Sequence, residues 1–501
     1  MLTAKLSPVV RPRLTRTVAA AAAMTTARRR GFASPAVSST GLDAPEPYFP
    51  DEPRRPHMVT SVPGPETKQM LERLDKYQDT RSVFFVADFE KSKGNYIVDA
   101  DGNTMLDVFA QIASMPIGYN SPAFLNLAKE PAFQTALANR AALGVNPNKD
   151  WIQSVENAFM RVAPKGMDNV FTVMCGSCAN ENAFKTAFMY NASKRRGSAT
   201  FSPEELSSCM SNQAPGSPDM AILSFTQAFH GRLFGSLTAT GSKALHKVDI
   251  PAFDWPKAVF PKRKYPLHEN EAYNAQVEQA SLQNVEEIIT TSKKPIAGLI
   301  VEPIQAEGGD NHASPAYFRQ LQKICQKHDV LFIVDEVQTG VGATGTFWAH
   351  EAWGLPTSPD MVTFSKKFQA AGFYTSSRLR PSQPYRLYNT WMGDPVRAMQ
   401  AAAIVKEIED KNLLQNVRQV GSYLTQELES LQKIKGVRGQ GTMIAFDLDN
   451  AQKRDKLVHD MRQLGVNMGG CGEHTVRLRP MLTFQKHHAD ILLETLNAAL
   501  Q

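Results

Sequence analysis

Between residues 150 and 380, short apolar or β-branched runs alternate with stretches long enough to form a helix. The runs are Asn169–Met174, Met220–Phe225, Ile296–Val301, Val330–Val334 and Met361–Phe364. That alternation predicts an α/β fold, a mainly parallel sheet flanked by helices. Ser314-Pro315 supplies an N-cap and a first-turn proline for the helix before Val330. Upstream, the Pro-rich segment Asp43–Val62 reads as extended and a helix is expected near Pro65–Lys76. Phe84–Phe109 reads as short strands with a turn at Asp101-Gly102. Gln111–Pro122, broken by Gly and Pro, has the irregularity of a catalytic loop, and the polar Ser193–Asp219 stretch reads as a surface excursion. From residue 395 the order helix, strand, helix, strand, strand, helix predicts a smaller α+β domain, and no internal repeat is present.

Length and charge narrow the class. At 501 residues the chain exceeds what one core usually supports, and 42% hydrophobic with 21% charged residues is an ordinary globular composition. No run nears the roughly 20 apolar residues of a bilayer-spanning helix, which argues against a membrane protein. The net charge of +6 comes from the N-terminus, where Lys5, Arg11, Arg13, Arg16, Arg28, Arg29 and Arg30 precede the first acid, Asp43. The remainder carries 48 bases against 49 acids, so there is no basic body for nucleic acid. An acid-free segment rich in Arg, Ala, Ser and Thr reads as a mitochondrial transit peptide over residues 1–32, cut after Phe32, and hence as matrix targeting. Five cysteines, at 175, 178, 209, 325 and 471, make no even-numbered secreted framework.

In parallel α/β sheets ligands sit at the carboxyl ends of strands, and several ends here are polar. Asn169–Met174 runs into Cys175-Gly176-Ser177-Cys178 and then an amphipathic helix, a setting in which free amides and the helix dipole favour a phosphate. Val330–Val334 delivers Asp335 and Glu336, then Gln338. The following Gly340-Val-Gly-Ala-Thr-Gly345 imitates a dinucleotide fingerprint, but two carboxylates precede it and would repel a pyrophosphate, so it reads as a glycine-rich turn. Met361–Phe364 ends in Ser365-Lys366-Lys367, where a desolvated lysine facing a neighbouring carboxylate could act as a Schiff-base nucleophile.

Phosphate cradle, carboxylate and lysine together are what pyridoxal phosphate demands. The motifs Gln111-Ile112 with Pro116-Ile117-Gly118-Tyr119, Cys175-Gly-Ser-Cys-Ala-Asn-Glu-Asn-Ala183, Ala228-Phe-His-Gly-Arg232, Ile250-Pro-Ala-Phe-Asp-Trp-Pro256, Glu302-Pro-Ile-Gln-Ala-Glu-Gly-Gly-Asp310, Val334-Asp-Glu-Val-Gln-Thr-Gly340, Thr363-Phe-Ser-Lys366, Asn389-Thr-Trp391 and Val476-Arg-Leu-Arg-Pro480 resemble those of the class III (ω-amino acid) aminotransferases of fold type I. The resemblance implies a large domain with a mainly parallel sheet over residues 111–394, a small α+β domain over 395–501 and an N-terminal segment, 33–110, joining the small domain. It implies that Lys366 binds the cofactor aldehyde, rather than Lys367, because it lies six residues after Pro359-Asp360. It further implies that Asp335 pairs with the ring nitrogen, Gln338 lies near the phenolic oxygen and Phe229 stacks on the ring. Gly176 and Ser177 would hold the phosphate, joined by Thr390 from the partner subunit of a homodimer with shared sites.

The implied reaction moves the amino group of 4-aminobutyrate to 2-oxoglutarate by a ping-pong mechanism, giving succinate semialdehyde and glutamate. The alternative is a sibling enzyme acting on β-alanine or ornithine. 4-Aminobutyrate holds its carboxylate far from its amine, so a cation at fixed distance is needed, and Arg232 can grip it bidentately. Arg477 would bind the second carboxylate of glutamate, and Glu307 would cover Arg477 when that group is absent. Ile112 and Tyr388 would line the pocket. Cys175 and Cys178 resemble a pair that shares a [2Fe–2S] cluster across the dimer interface. Phe109, Tyr388 and Ala371 depart from the Tyr, Phe and Gly of animal members, which leaves the preference among ω-amino acids open.

Overall fold

The computed structural model describes residues 46–501, so the transit-peptide expectation lies outside the described residues. Its centre is a seven-stranded sheet in the order Asn169–Val173, Ala371–Thr375, Met361–Phe364, Leu331–Asp335, Ile296–Val301, Ala221–Phe225, Lys257–Ala258. Every neighbouring pair is parallel except those of Ala371–Thr375, which is antiparallel to both its neighbours. All five expected strands are present within one residue of their expected ends. Parallel pairing brings the carboxyl ends of four of them to one edge, so Phe225, Val301, Asp335 and Phe364 each lead into loops on the same side. The Asn169–Val173 strand, turned by its antiparallel neighbour into the same sense, adds Cys175.

The flanking helices follow from the spacing of their apolar residues. Pro315–Lys327 buries Tyr317, Phe318, Leu321 and Cys325 as one stripe, and Ser314 Oγ accepts the amide of Tyr317 at 3.1 Å as its cap. Gly176–Arg196 runs slightly into the expected surface excursion before Gly197 closes it in the left-handed conformation. The remaining excursion carries a short helix, Pro203–Ser208, with a Ser202–Glu205 capping box. Gly340–Gly345 is a turn that opens no α-helix, the next element being the short 3-10 helix Ala349–Trp353, and a Cβ at Gly340 would stand 2.7 Å from the Trp348 ring.

A second sheet joins Ala87–Lys93, Tyr96–Asp99 and Thr104–Asp107 to Val466–Asn467 from the far end of the chain. A third holds Lys435–Gln440, Met443–Asp447, Thr475–Leu478 and Gly469–Cys471. Tyr96, Leu106 and Val108 share one buried cluster with Leu424, Phe446, Leu478 and Leu492, so the N-terminal strands pack with the C-terminal elements. Buried His488 donates to Glu52 at 2.8 Å and ties the first described segment to the last helix. After residue 395 two helices, Pro395–Asp410 and Leu413–Glu429, precede the strands where one was expected, because left-handed Asn412 breaks the run. Among the described residues no helix is long and apolar enough to cross a membrane.

Under the sheet edge lies an aromatic cluster of Phe159, Trp348, Phe364, Phe368 and Tyr374, with ring centroids 4.9–6.2 Å apart in the contacting pairs. The Tyr374 hydroxyl donates to the carbonyl of Phe159 at 2.8 Å. Losing one such ring from a core costs roughly 3–5 kcal/mol. Phe364 and Phe368 bracket the Lys366 turn, so this packing fixes the backbone from which the lysine projects.

Candidate active site

Four strand ends and one helix start converge. Asp335, 4% exposed, is held from three sides: Nδ1 of His230 donates to Oδ2 at 2.8 Å, Nδ2 of Asn180 at 2.9 Å, and the amide of Val337 reaches Oδ1 at 3.0 Å. Burying a carboxylate is costly unless such donors meet its oxygens. Glu302 ends the neighbouring strand and accepts the amides of Phe229 and Ala306 at 2.9 and 3.2 Å. Burial, reinforced by nearby Asp335, raises its carboxyl well above the usual range.

Lys366 follows its strand with φ +46, a left-handed conformation that turns the side chain towards Asp335, Glu302 and Arg477. Burial and the Arg477 charge lower its amine to about 8 against the opposing pull of Asp335 and Glu302. Lys367 is lowered further, to about 7, chiefly by burial. Basicity therefore does not choose between the two lysines, whereas access does. Lys367 is 2% exposed and its ammonium donates to the carbonyls of Ala113 and Met115, both at 3.4 Å.

The phosphate-cradle expectation rests on Gly176 and Ser177, the first residues of the Gly176–Arg196 helix. Amides of a first helical turn have no partner within the helix. A Cβ at Gly176 would lie 2.7 Å from Val337, and one at Gly231 would lie 2.3 Å from Ser177 Oγ, so bare backbone lines this place. Ser177 Oγ also accepts the amide of Arg232 at 3.3 Å. A backbone-lined anion cradle, a braced carboxylate for a ring nitrogen and a desolvated amine for an aldehyde form the donor set that pyridoxal phosphate requires. The His230 Nε2, Asn180 Oδ1 and Arg477 Nη1 atoms are buried without a partner among the described residues, as expected of a site built to meet other groups. Gln338 is oriented by Arg479, whose Nε donates to its Oε1 at 2.9 Å, and Arg479 is itself paired with Asp310.

The two expected carboxylate grips differ. Arg232 is exposed, lies 5.9 Å from the Phe229 ring centroid, and donates from Nη2 to Nε2 of His246 at 2.9 Å. Burial and the Arg232 and Lys243 charges lower His246, so it accepts this bond as a neutral ring and leaves the guanidinium charge uncompensated. Arg477 is 6% exposed and meets Glu307 at 3.0 Å, the contact expected from sequence. Lys243 shares the same carboxylate at 2.9 Å. Burial works to raise Glu307, but Arg477 and Lys243 outweigh it and hold it below the usual range.

Ile112 lies on a turn that the sequence reading missed. Ala110, Gln111, Ile112 and Ala113 have φ of +48, +53, +59 and +61, a left-handed helical turn built from four non-glycine residues. Each costs roughly 1–2 kcal/mol relative to right-handed backbone. Asp107 braces its start by accepting the amides of Phe109 and Ala110 at 2.9 and 3.0 Å, and Tyr119 donates to the other Asp107 oxygen at 2.6 Å. Ile112 is left 55% exposed.

Among the described residues no contact brings Tyr388 or Thr390 to this edge. Tyr388 packs with Tyr385 and beside Gly144, and Thr390 is exposed. Cys175 and Cys178 stand at the helix start with sulfurs 3.3 Å apart, Cys175 exposed. The bond from Cys178 lowers the Cys175 thiol to about 6, and the same contact raises Cys178. Glu302, His230, Asn180, Lys243 and His246 carried no assigned role in the sequence reading. Glu302 could have been found from its place directly after a strand, whereas nothing in Gly241-Ser-Lys-Ala-Leu-His246 signals where that segment folds.

The class-III aminotransferase family model matches residues 77–500. The chain is 55% identical over 470 residues to a 4-aminobutyrate aminotransferase of Mycosarcoma maydis, covering 90% of this chain and 92% of that one. It is 49% identical over 453 residues to the mitochondrial 4-aminobutyrate aminotransferase of Mus musculus, covering 89% and 91%. Among solved structures, a lysine aminotransferase of M. tuberculosis matches with a TM-score of 0.77 at 30% identity, covering 86% of this chain and 98% of that one.

Proposed function

The chain belongs to the class-III aminotransferases, and from that premise we propose that it transfers the amino group of 4-aminobutyrate to 2-oxoglutarate, giving succinate semialdehyde and glutamate. The observation that carries this reading is a pair of guanidiniums in unlike settings, Arg232 with its charge open beside Ser177 and Phe229, and Arg477, near Lys366, covered by a carboxylate. A donor with a single distant carboxylate uses only the open one. A partner with a second carboxylate beside the reacting carbon needs the covered one as well.

Pyridoxal phosphate, when bound, supplies an electron sink for the carbon that carries the transferred nitrogen. Gly176 and Ser177 would hold its phosphate, with Thr390 of a second copy completing the cradle, and Phe229 would stack on its ring. Asp335, braced by His230 and Asn180, would pair with the ring nitrogen, and Gln338 would face the phenolic oxygen. Lys366 would hold the aldehyde and is the amine placed to carry a proton to and from the reacting carbon. An amine near 8 is suited to that task, because it is neither locked in its charged form nor too weak a base. Arg232 orients 4-aminobutyrate by its carboxylate, with Ile112 and Tyr388 lining the pocket. Glu307 leaves Arg477 only when a dicarboxylate enters.

Assay of the purified holoenzyme with 4-aminobutyrate, β-alanine and ornithine, each with 2-oxoglutarate, tests the reading. Glutamate formed fastest from 4-aminobutyrate supports it. Turnover confined to β-alanine or ornithine moves the enzyme to a sibling reaction.

The chain is further read as a homodimer of mitochondria. Leu137, Val145, Ile152 and Met174 are 45–67% exposed, an apolar surface that a second copy would cover. The acid-free N-terminus and the mitochondrial relative in mouse support the compartment. The juxtaposed Cys175 and Cys178 thiols would give half of a four-cysteine [2Fe–2S] site, the other half coming from the second copy. The large unit would run from 111 to 394, with 33–110 and 395–501 forming the smaller one.

A further inference from the structure

Lys367 is a buried titratable group to which the proposed chemistry gives no task. It has no carboxylate within ion-pair distance among the described residues; Arg479 and Lys366, both of its own sign, oppose its charge, and Asp107, beyond that distance, only partly offsets them. Burying an ammonium is costly, and a methionine would fill the same space without that cost. What the ammonium provides is its N–H groups, which reach the carbonyls of Ala113 and Met115 at 3.4 Å each. Between those two carbonyls lies that of Ser114, which accepts Nε2 of Gln369 at 2.7 Å, and the same amide donates to the carbonyl of Lys366 at 3.3 Å. Three successive carbonyls at the end of the left-handed turn are therefore held by two side chains of the lysine loop. That loop is itself turned by positive φ at Lys366 and Gln369. The strain is real at both ends, since none of the residues concerned is glycine. Released from its tethers, the turn would relax towards right-handed backbone and carry Ile112 with it.

We propose that Lys367 is a positioning residue that clamps the Ala110–Ala113 turn onto the Lys366 loop and so fixes Ile112 as a wall of the substrate pocket. The clamp rests on geometry alone, while the identity of the substrate it serves rests on the transaminase reading. The adjacent lysines thus divide the work, one facing the reaction and the other holding the pocket in register with it.

The test compares Lys367→Met with Lys367→Met/Ala113→Gly, each as holoenzyme, against 4-aminobutyrate. The single variant is expected to keep its bound-cofactor absorbance, raise KM by about tenfold with a smaller change in kcat, and speed amide exchange across residues 110–115. Glycine adopts φ near +61 without strain, so the double variant is expected to recover most of the KM loss. A KM that stays at the wild-type value, or a rise that glycine leaves untouched, overturns the proposal. Should Lys367→Met fail to fold, Gln369→Ala with and without Ala113→Gly gives the same comparison on a half-buried residue, with an expected rise of about threefold. Wild-type enzyme that ignores 4-aminobutyrate would sink the substrate reading instead and leave the exchange measurement to judge the clamp.

Discussion

Arg232 and Arg477 carry the same guanidinium in opposite settings. Arg232 is exposed and steadied by a neutral imidazole, so its charge remains available. Arg477 is buried, and its charge is met by Glu307, which Lys243 also holds. The contrast teaches that the neighbour, rather than the arginine, decides when a carboxylate is welcome. A histidine orients without neutralising. A glutamate neutralises, and on the proposed reading an entering dicarboxylate would displace it, with Lys243 still at hand as a cation. One site can then accept a monocarboxylate donor and a dicarboxylate partner in turn, which a ping-pong exchange requires.

The largest expected effect comes from blunting the open grip. Arg232→Lys keeps the charge but loses bidentate geometry, and kcat/KM for 4-aminobutyrate is expected to fall about 100-fold. Steady-state kinetics that hardly change would remove Arg232 from the site. Next is the cover itself. Glu307→Gln uncovers Arg477 and is expected to shift the ratio of kcat/KM for glutamate over 4-aminobutyrate by about tenfold towards glutamate. An unmoved ratio would make the Glu307–Arg477 pair an ordinary structural bridge. The smallest effect is assigned to Lys243→Met, which deprives the displaced Glu307 of its second cation. KM for 2-oxoglutarate is expected to rise about threefold while the half-reaction with 4-aminobutyrate holds steady, and equal changes in both would show that Lys243 merely stabilises the segment.

The contrast between the arginines was only half legible in the sequence. Arg232, Arg477 and Glu307 could be named because they sit in motifs that resemble a family, and the strand ends carrying Asp335 and Lys366 followed from apolar runs that terminate in charge. His246 and Lys243 could not, because their roles arise from a loop folding back across the site and leave no periodic trace. The Ala371–Thr375 strand was overlooked because its Ala-Gly start masks the apolar run. Gly372 is nevertheless required there, since a Cβ would lie 2.3 Å from the carbonyl of Phe171. The left-handed turn was illegible for a deeper reason. Ala-Gln-Ile-Ala contains no glycine to announce positive φ, and its conformation is held by nearby Asp107 together with Lys367 and Gln369, two partners distant in sequence.

The division of labour between the two guanidiniums is tested most directly by single-turnover absorbance of the holoenzyme in an Arg477→Lys variant, with 4-aminobutyrate and L-glutamate as alternative donors. The account predicts that conversion of the bound cofactor to its amine form slows about 100-fold with glutamate and less than about threefold with 4-aminobutyrate. Equal slowing with both donors would contradict it.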